Sequence, residues 1–113
     1  MPDNCLFCKI IRGEIPASKL YEDDDILAFR DIAPQAPVHI LVIPKKHLRG
    51  PEAVTEEDER VMGKLMRVGN EIALKESIPS YRLVCNNGVQ AGQTVFHLHM
   101  HILGGRHMAW PPG

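Results

Sequence analysis

Three imidazoles in one short run are the residues of this chain best placed to do chemistry. In His97-Leu98-His99-Met100-His101-Ile102-Leu103 a histidine alternates with a large apolar residue, and half of the chain's 6 histidines stand there. The period is two. It predicts a β-strand over 97–103, with Leu98, Met100 and Ile102 toward a core and His97, His99 and His101 along the opposite face. At a rise of about 3.3 Å per residue, neighbouring imidazoles stand about 7 Å apart and the outer pair about 13 Å apart. A His-x-His pair can share a zinc ion at Zn–N distances of about 2.0–2.1 Å, but one ion cannot take all three. The spacing suits chemistry spread over an elongated substrate. A neutral imidazole whose second nitrogen is oriented by a hydrogen bond is a nucleophile toward phosphorus, forming a covalent intermediate that water later resolves. A neighbouring imidazole can bind phosphate oxygens or protonate the leaving group. His99, flanked on both sides, is the natural centre.

Partners for a phosphate and a sugar stand nearby in the sequence. Gly88 and Gly92 let backbone N–H groups approach anionic oxygens, while Gln93 and Thr94 add side-chain donors just before the histidine run. Asp31 follows an apolar strand, where a carboxylate can accept both hydroxyls of a ribose. The same position also suits a simple strand-end turn acid. Cys5 and Cys8 form a tight C-x-x-C rather than a spaced disulfide framework, and Cys85 reads as a buried small hydrophobe.

The elements that must position these groups follow from the rest of the pattern. Residues 5–12 fit one or two turns of helix ended by Gly13. Pro16 breaks the chain before a short strand around 19–22. Asp23-Asp24-Asp25 lacks the spaced ligands and glycine of a calcium loop and reads as a turn. Strand 26–30 leads to Asp31, and Pro34 and Pro37 hold an extended loop. Residues 38–43, apolar apart from His39, read as a central strand buried on both faces. Thr55-Glu56-Glu57-Asp58 resembles a helix N-cap with an acidic first turn. Behind it Val61, Leu65, Val68 and Ile72 recur at helical spacing, widened by Met62, Met66 and Ala73, with Pro79 as the outer limit. Residues 81–85 form another short strand, Asn86-Asn87-Gly88 a turn, and Gly104-Gly105 the end of the histidine strand. Short strands in meander order with one long helix predict an α+β fold: a five-stranded antiparallel sheet with one short and one long helix.

A chain of 113 residues supports one domain, 1–113. A net charge of -1 carries no electrostatic footprint for nucleic acid or an anionic membrane, so neither is an expected partner. The sequence has no apolar run approaching about 20 residues and no signal-like opening, which leads to the expectation of a cytoplasmic protein.

With these residues in view, the sequence resembles the histidine triad family of nucleotide-binding hydrolases and transferases, in its Hint-type branch. The resemblance rests on His97-x-His99-x-His101 with apolar spacers, Cys8-Lys9-Ile10-Ile11, Phe29-Arg30-Asp31-Ile32, Pro34-Gln35-Ala36-Pro37 and the stretch from His39 through His47. Gly92-Gln93-Thr94-Val95, Gly104-Gly105-Arg106 and Trp110-Pro111-Pro112-Gly113 extend it over essentially the whole chain. It implies a purine nucleoside phosphoramidate hydrolase that cleaves a P–N bond to release a nucleoside monophosphate such as AMP, with no organic cofactor. His99 matches the nucleophile that becomes nucleotidylated, His101 the partner on the phosphate and bridging atom, and His39 the imidazole supporting the nucleophile. Asp31 and Ile32 match the ribose contact; Asn86, Gly92, Gln93 and Thr94 match phosphate-side contacts; Phe7 and Phe29 match the apolar wall of the base pocket. The family joins two sheets edge to edge as a homodimer, and Trp110, in the tail 104–113, matches a residue that reaches toward the partner's site.

Cys5 and Cys8 depart from the best-known Hint-type pattern and resemble related bacterial histidine triad proteins that carry zinc. There the ligands correspond to Cys5, Cys8, His47 and His97, an assignment that takes His97 away from catalysis. Two reduced cysteines on an amphipathic first turn are the plainer reading. The rival functions are a nucleotide-binding module without turnover, a dinucleoside polyphosphate hydrolase, and a structural zinc protein that leaves His99 and His101 without a role.

Overall fold

The period-two segments pair into a five-stranded antiparallel sheet. The structure, a computed structural model, describes residues 2–113. Its strands are β1 (Lys19–Glu22), β2 (Ile26–Arg30), β3 (Val38–Pro44), β4 (Tyr81–Val84) and β5 (Met100–Gly104), in the spatial order β1-β2-β3-β5-β4. Two α-helices, α1 (Leu6–Ile11) and α2 (Glu59–Lys75), complete the α+β fold.

Strand parity sorts the side chains into two layers. Ile40 and Val42 of β3 join Ile26, Ala28, Met100 and Ile102 beneath α2, whose Leu65, Val68 and Ile72 close that core. Leu41 and Ile43 point the other way, with Leu27 and Phe29, against Cys5, Phe7, Cys8 and Ile10. His39 and His101 belong to this second face, because His101 pairs with Leu41 and His39 with Leu103. A helix of 6 residues cannot cover the whole face. The part that α1 leaves open is where the imidazoles lie.

Helix α2 sits on the face opposite the imidazoles, its sheet-facing stripe on β3 and β5 as the spacing predicts. Thr55 and Asp58 close a capping box, the Asp58 carboxylate accepting the Thr55 N–H at 2.9 Å, but the first turn is 3₁₀ and the α-helix proper starts at Glu59. Met66 is 54% exposed, one step outside the stripe, so it is not core filler as expected. At Gly69 a Cβ would lie 2.6 Å from the Met100 methyl, so glycine lets the helix settle onto the strand that carries His101. Asp23-Asp24-Asp25 is a turn, with Asp23 accepting the N–H groups of Asp25 and Ile26 at 2.8 and 2.9 Å. Lys64 and Arg60 pair with Asp23 and Asp25 and tie α2 to this corner.

Two expectations are corrected. Regular pairing in the histidine strand begins at Met100, not at His97. Continuing the register past Val42–Met100 would set Leu98 opposite Pro44, which has no N–H to give. The Leu98 N–H instead donates to the Leu48 carbonyl at 2.7 Å, and the chain bends through His97 and His99. Cys85 lies exposed beyond the end of β4, its thiol donating to the His99 carbonyl at 3.4 Å, rather than buried in the core.

Candidate functional site

The bend splits the three imidazoles. His99 and His101 stay together, ring centroids 4.9 Å apart, while His97 turns away and is completely buried. His99 and His101 line a cleft of about 250 Å³ whose other walls include Leu6, Phe7 and Ile10 of the N-terminal helix, Phe29 and Leu41 of the sheet, and Asp31, Ile32, Thr94 and Val95. Phe7 and Phe29 meet edge to face at 5.5 Å and are both buried, forming the apolar floor of the cleft. Ile32 is fully exposed at its rim.

Backbone partners assign the tautomer of each ring. The His97 carbonyl lies 2.7 Å from Nδ1 of His99; a carbonyl only accepts, so His99 carries its proton on Nδ1 and a lone pair on Nε2. The Gln35 N–H donates to Nδ1 of His39 at 3.0 Å, which puts the His39 proton on Nε2. That Nε2–H donates to Nδ1 of His101 at 2.9 Å, leaving His101 with an Nε2–H donor. A free lone pair and a free N–H thus stand on adjacent rings. His39 reaches His101 and not His99, so any support it gives the nucleophile passes through His101. Burial pushes the His101 imidazole down to about 4, helped by His99 and His39, and lowers His39 despite the nearby Asp31 carboxylate. Both rings are neutral at pH 7.

The remaining residues of the expected nucleotide site divide. Asp31 accepts the Ala33 N–H through Oδ1 at 2.8 Å, making the strand-end turn, while Oδ2 sits 3.4 Å from Nε2 of His39. Gln93 is buried, not a free donor. Its Oε1 accepts the Gly88 N–H at 2.8 Å and its Nε2 donates to the carbonyls of Arg49 and Val95, so the side chain holds the loop together instead of reaching a ligand. Gly92 has φ +93°, a conformation that favours glycine, and lies beside the Asn86 amide. Thr94 is exposed on the cleft wall. Trp110 is 83% exposed and outside the cleft.

The second cluster forms behind the first. Cys5, Cys8, His47 and His97 bring two thiols and two Nδ1 atoms within 4.8 Å of one another. The two nitrogens are 3.1 Å apart, and the sulfur–nitrogen contacts run 3.4 Å from Cys8 to His47, 3.5 Å from Cys5 to His97 and 3.6 Å from Cys8 to His97. A tetrahedral zinc ion sets such ligand atoms about 3.4–3.8 Å apart. The tautomer agrees as well. Nε2 of His97 donates to the Pro44 carbonyl at 2.8 Å, so its Nδ1 presents a lone pair to the cluster. Burial and the neighbouring Cys5 push the Cys8 thiol up to about 11, and burial lowers His97 to about 4. A divalent ion bound there would favour the thiolate form of the cysteines. The residues present fit one such ion.

The groups that sequence reading passed over are mostly backbone. The Gln35 N–H, the Pro44 carbonyl and the His97 carbonyl decide the tautomers, and main-chain atoms leave no mark on residue type. Leu6, Ile10, Ile15 and Val95 of the cleft wall look like ordinary core residues in sequence.

The profile of the HIT domain family matches residues 12–108. The chain is 55% identical over 114 residues, 100% of both chains, to an uncharacterized HIT-like protein of Synechocystis sp.. It superposes on a solved HIT family hydrolase from Legionella pneumophila with TM-score 0.94 and 51% identity, covering 97% of this chain and 100% of the other. A HIT family hydrolase from Clostridium thermocellum gives TM-score 0.94 and 44% identity over 96% of each chain.

Proposed function

The chain belongs to the HIT domain family, and from that premise we propose that it hydrolyses purine nucleoside phosphoramidates through a nucleotidyl-histidine intermediate on His99. The observation that carries this reading is the 2.7 Å bond from Nδ1–H of His99 to the His97 carbonyl, which frees the Nε2 lone pair on the wall of the cleft. In the first step that lone pair forms a bond to phosphorus and the P–N bond breaks. The leaving amine departs with a proton that reaches the P–N nitrogen from solvent, while Nε2–H of His101, its Nδ1 held by His39, donates to a phosphate oxygen. The His99 ring, now cationic, keeps Nδ1–H on the His97 carbonyl, which stabilises it. Water then attacks phosphorus and returns one proton to solvent as the bond to Nε2 of His99 breaks to release the nucleoside monophosphate. Phe7 and Phe29 form the floor under the base, with Asp31 and Ile32 at the ribose and Thr94 on the phosphate side of the cleft; Asn86, Gly92 and the Gln93 backbone complete the phosphate side, in a loop that the Gln93 side chain orders.

In the same reading Cys5, Cys8, His47 and His97 hold one structural zinc ion, supported by the match of donor spacing and tautomer. The protein acts in the cytoplasm as a homodimer, two sheets joined edge to edge with Trp110 reaching toward the partner's cleft. Supporting this, β4 is an open edge of the sheet and Trp110 stands exposed and away from its own cleft. Light scattering at micromolar concentration that reports only monomer overturns the dimer.

The function is tested by mixing the protein with adenosine 5′-phosphoramidate, quenching within one turnover and mapping the adduct by mass spectrometry. Adenylate on His99, with amine released, is the expected result. Binding without amine release would mean a nucleotide-binding module. Turnover confined to dinucleoside polyphosphates would move the activity to that class.

A further inference from the structure

The two clusters are joined through one residue. The His97 ring belongs to the Cys–His cluster through Nδ1, while the His97 carbonyl, a few bonds away, accepts the Nδ1–H of His99. A second link runs through α1. Cys5 caps that helix, its sulfur accepting the Cys8 N–H at 3.4 Å, and Phe7 stands between the two cysteines. The Phe7 ring meets His99 edge-on, at 5.1 Å and 89°, and also touches His97 at 6.0 Å. Both supports of the His99 ring, one polar and one apolar, are therefore fixed to residues that converge on one cation-sized site. Regular sheet pairing does not do this work, because β5 begins only at Met100.

We propose that His97 and Phe7 are positioning residues that couple the Cys5–Cys8–His47–His97 centre to the nucleophile: a divalent cation bound there fixes the His97 carbonyl and the Phe7 ring, and these hold His99 in its Nδ1–H tautomer and orientation. The coupling takes its catalytic meaning from the phosphoramidate hydrolase reading above, but its effect on the His99 ring does not depend on that reading. Four ligands from three separate segments, α1, the turn after β3 and the bend before β5, are gathered at one point. When the cation leaves, α1 keeps its apolar contacts with Leu27, Phe29, Leu41 and Ile43, so the chain retains its fold while the bend loses its anchor. His47 and Cys5 line a surface pocket together with Arg49 and Phe96, which gives chelators and Zn²⁺ a route to the site.

The test uses the full chain with ¹⁵N-labelled imidazoles, loaded with Zn²⁺ or stripped by a chelator, plus His47→Gln, which removes the ligand nearest the surface. A Cys8→Ser variant serves as the more severe case if it folds. Circular dichroism first establishes that each form is folded at the temperature used. Expected with Zn²⁺ is a single Nδ1–H tautomer at His99; without it, the two tautomers average. Single-turnover adenylation from adenosine 5′-phosphoramidate should fall about 10- to 100-fold, as for other outer-sphere positioning groups. AMP affinity by calorimetry should stay nearly unchanged, and Zn²⁺ added back should restore both signals in the wild-type protein but not in His47→Gln. An unchanged His99 tautomer in the stripped, folded protein overturns the coupling, whatever the activity. No turnover in any form overturns the phosphoramidate reading, and the imidazole spectra then decide the coupling by themselves.

Discussion

The Cys5–Cys8–His47–His97 cluster and the His39–His99–His101 cluster both use imidazoles, share one bend of chain, and are hydrogen-bonded in opposite ways. Each contains a group of three or more metal-binding residues whose donor atoms come within 4.8 Å, since Asp31, beside the second cluster, joins His39 and His101 in such a group. Proximity alone would offer a cation either place. Hydrogen bonding separates them. His97 gives its Nε2–H to the Pro44 carbonyl and turns a lone pair inward. His39 receives the Gln35 N–H on Nδ1 and so turns a proton, not a lone pair, toward Asp31 and His101. A cation there would have to expel that proton and leave a backbone N–H facing a ring nitrogen that needs its own hydrogen. One backbone acceptor leaves a lone pair facing its cluster, and one backbone donor leaves an N–H facing its own.

The sharpest break in this comparison is His99→Ala. Loss of the nucleophile should lower phosphoramidate hydrolysis by roughly 10⁴-fold or more. Zinc content by mass spectrometry and the melting temperature should remain at the wild-type level. Near-normal turnover would remove His99 from the mechanism. His39→Leu comes next, because it strips His101 of the donor that sets its tautomer. A fall of about 10²-fold in kcat with unchanged zinc content is expected; a variant that instead lost its metal would show that the two clusters are not separate.

The complementary break is Cys5→Ser with Cys8→Ser. About one zinc per chain should disappear, with a melting temperature lower by roughly 5–10 °C. Protein that is metal-free and fully stable even after zinc is supplied would overturn the zinc site and leave His97 a buried residue that only supplies the carbonyl bonded by His99. A gentler probe is pH. His101 titrates near 6.5 when unfolded and at about 4 when folded, so between those values the unfolded chain binds more protons. Its share of stability is complete above pH 6.5 and is lost as the pH falls toward 4. The melting temperature should therefore drop on acidification over this window, and less steeply in His101→Gln; equal slopes would mean that His101 is not buried neutral. Smallest of all, Cys85→Ser should keep zinc content intact and shift stability by no more than about 0.5 kcal/mol in chemical denaturation, since serine can still donate to the His99 carbonyl.

Much of this protein follows from local pattern. Short apolar runs at 26–30 and 38–43 specify strands, and strand geometry assigns each side chain a face, because successive Cβ atoms point oppositely whatever the neighbours are. Val61, Leu65, Val68 and Ile72 specify the helix stripe, and the aspartates at 23–25 the turn, by equally short-range rules. The alternation of histidine and apolar residues also places Met100 and Ile102 in the core and His101 on the far face. It fails at His97. Pro44, across the sheet, ends the ladder and lets the chain bend, so His97 leaves the row that its spacing describes. Gln93 reads as a polar loop residue free to meet phosphate, yet the carbonyl of Arg49, 44 residues away, takes its amide. Sequence alone determined which residue types and which faces were available to the site. Only the tertiary structure decided which ring turns a lone pair to the Cys–His cluster and which turns one to the cleft, because a tautomer is set by a single backbone donor or acceptor. For His97 that partner is the carbonyl of Pro44, 53 residues away, and no local pattern records where the fold will bring it.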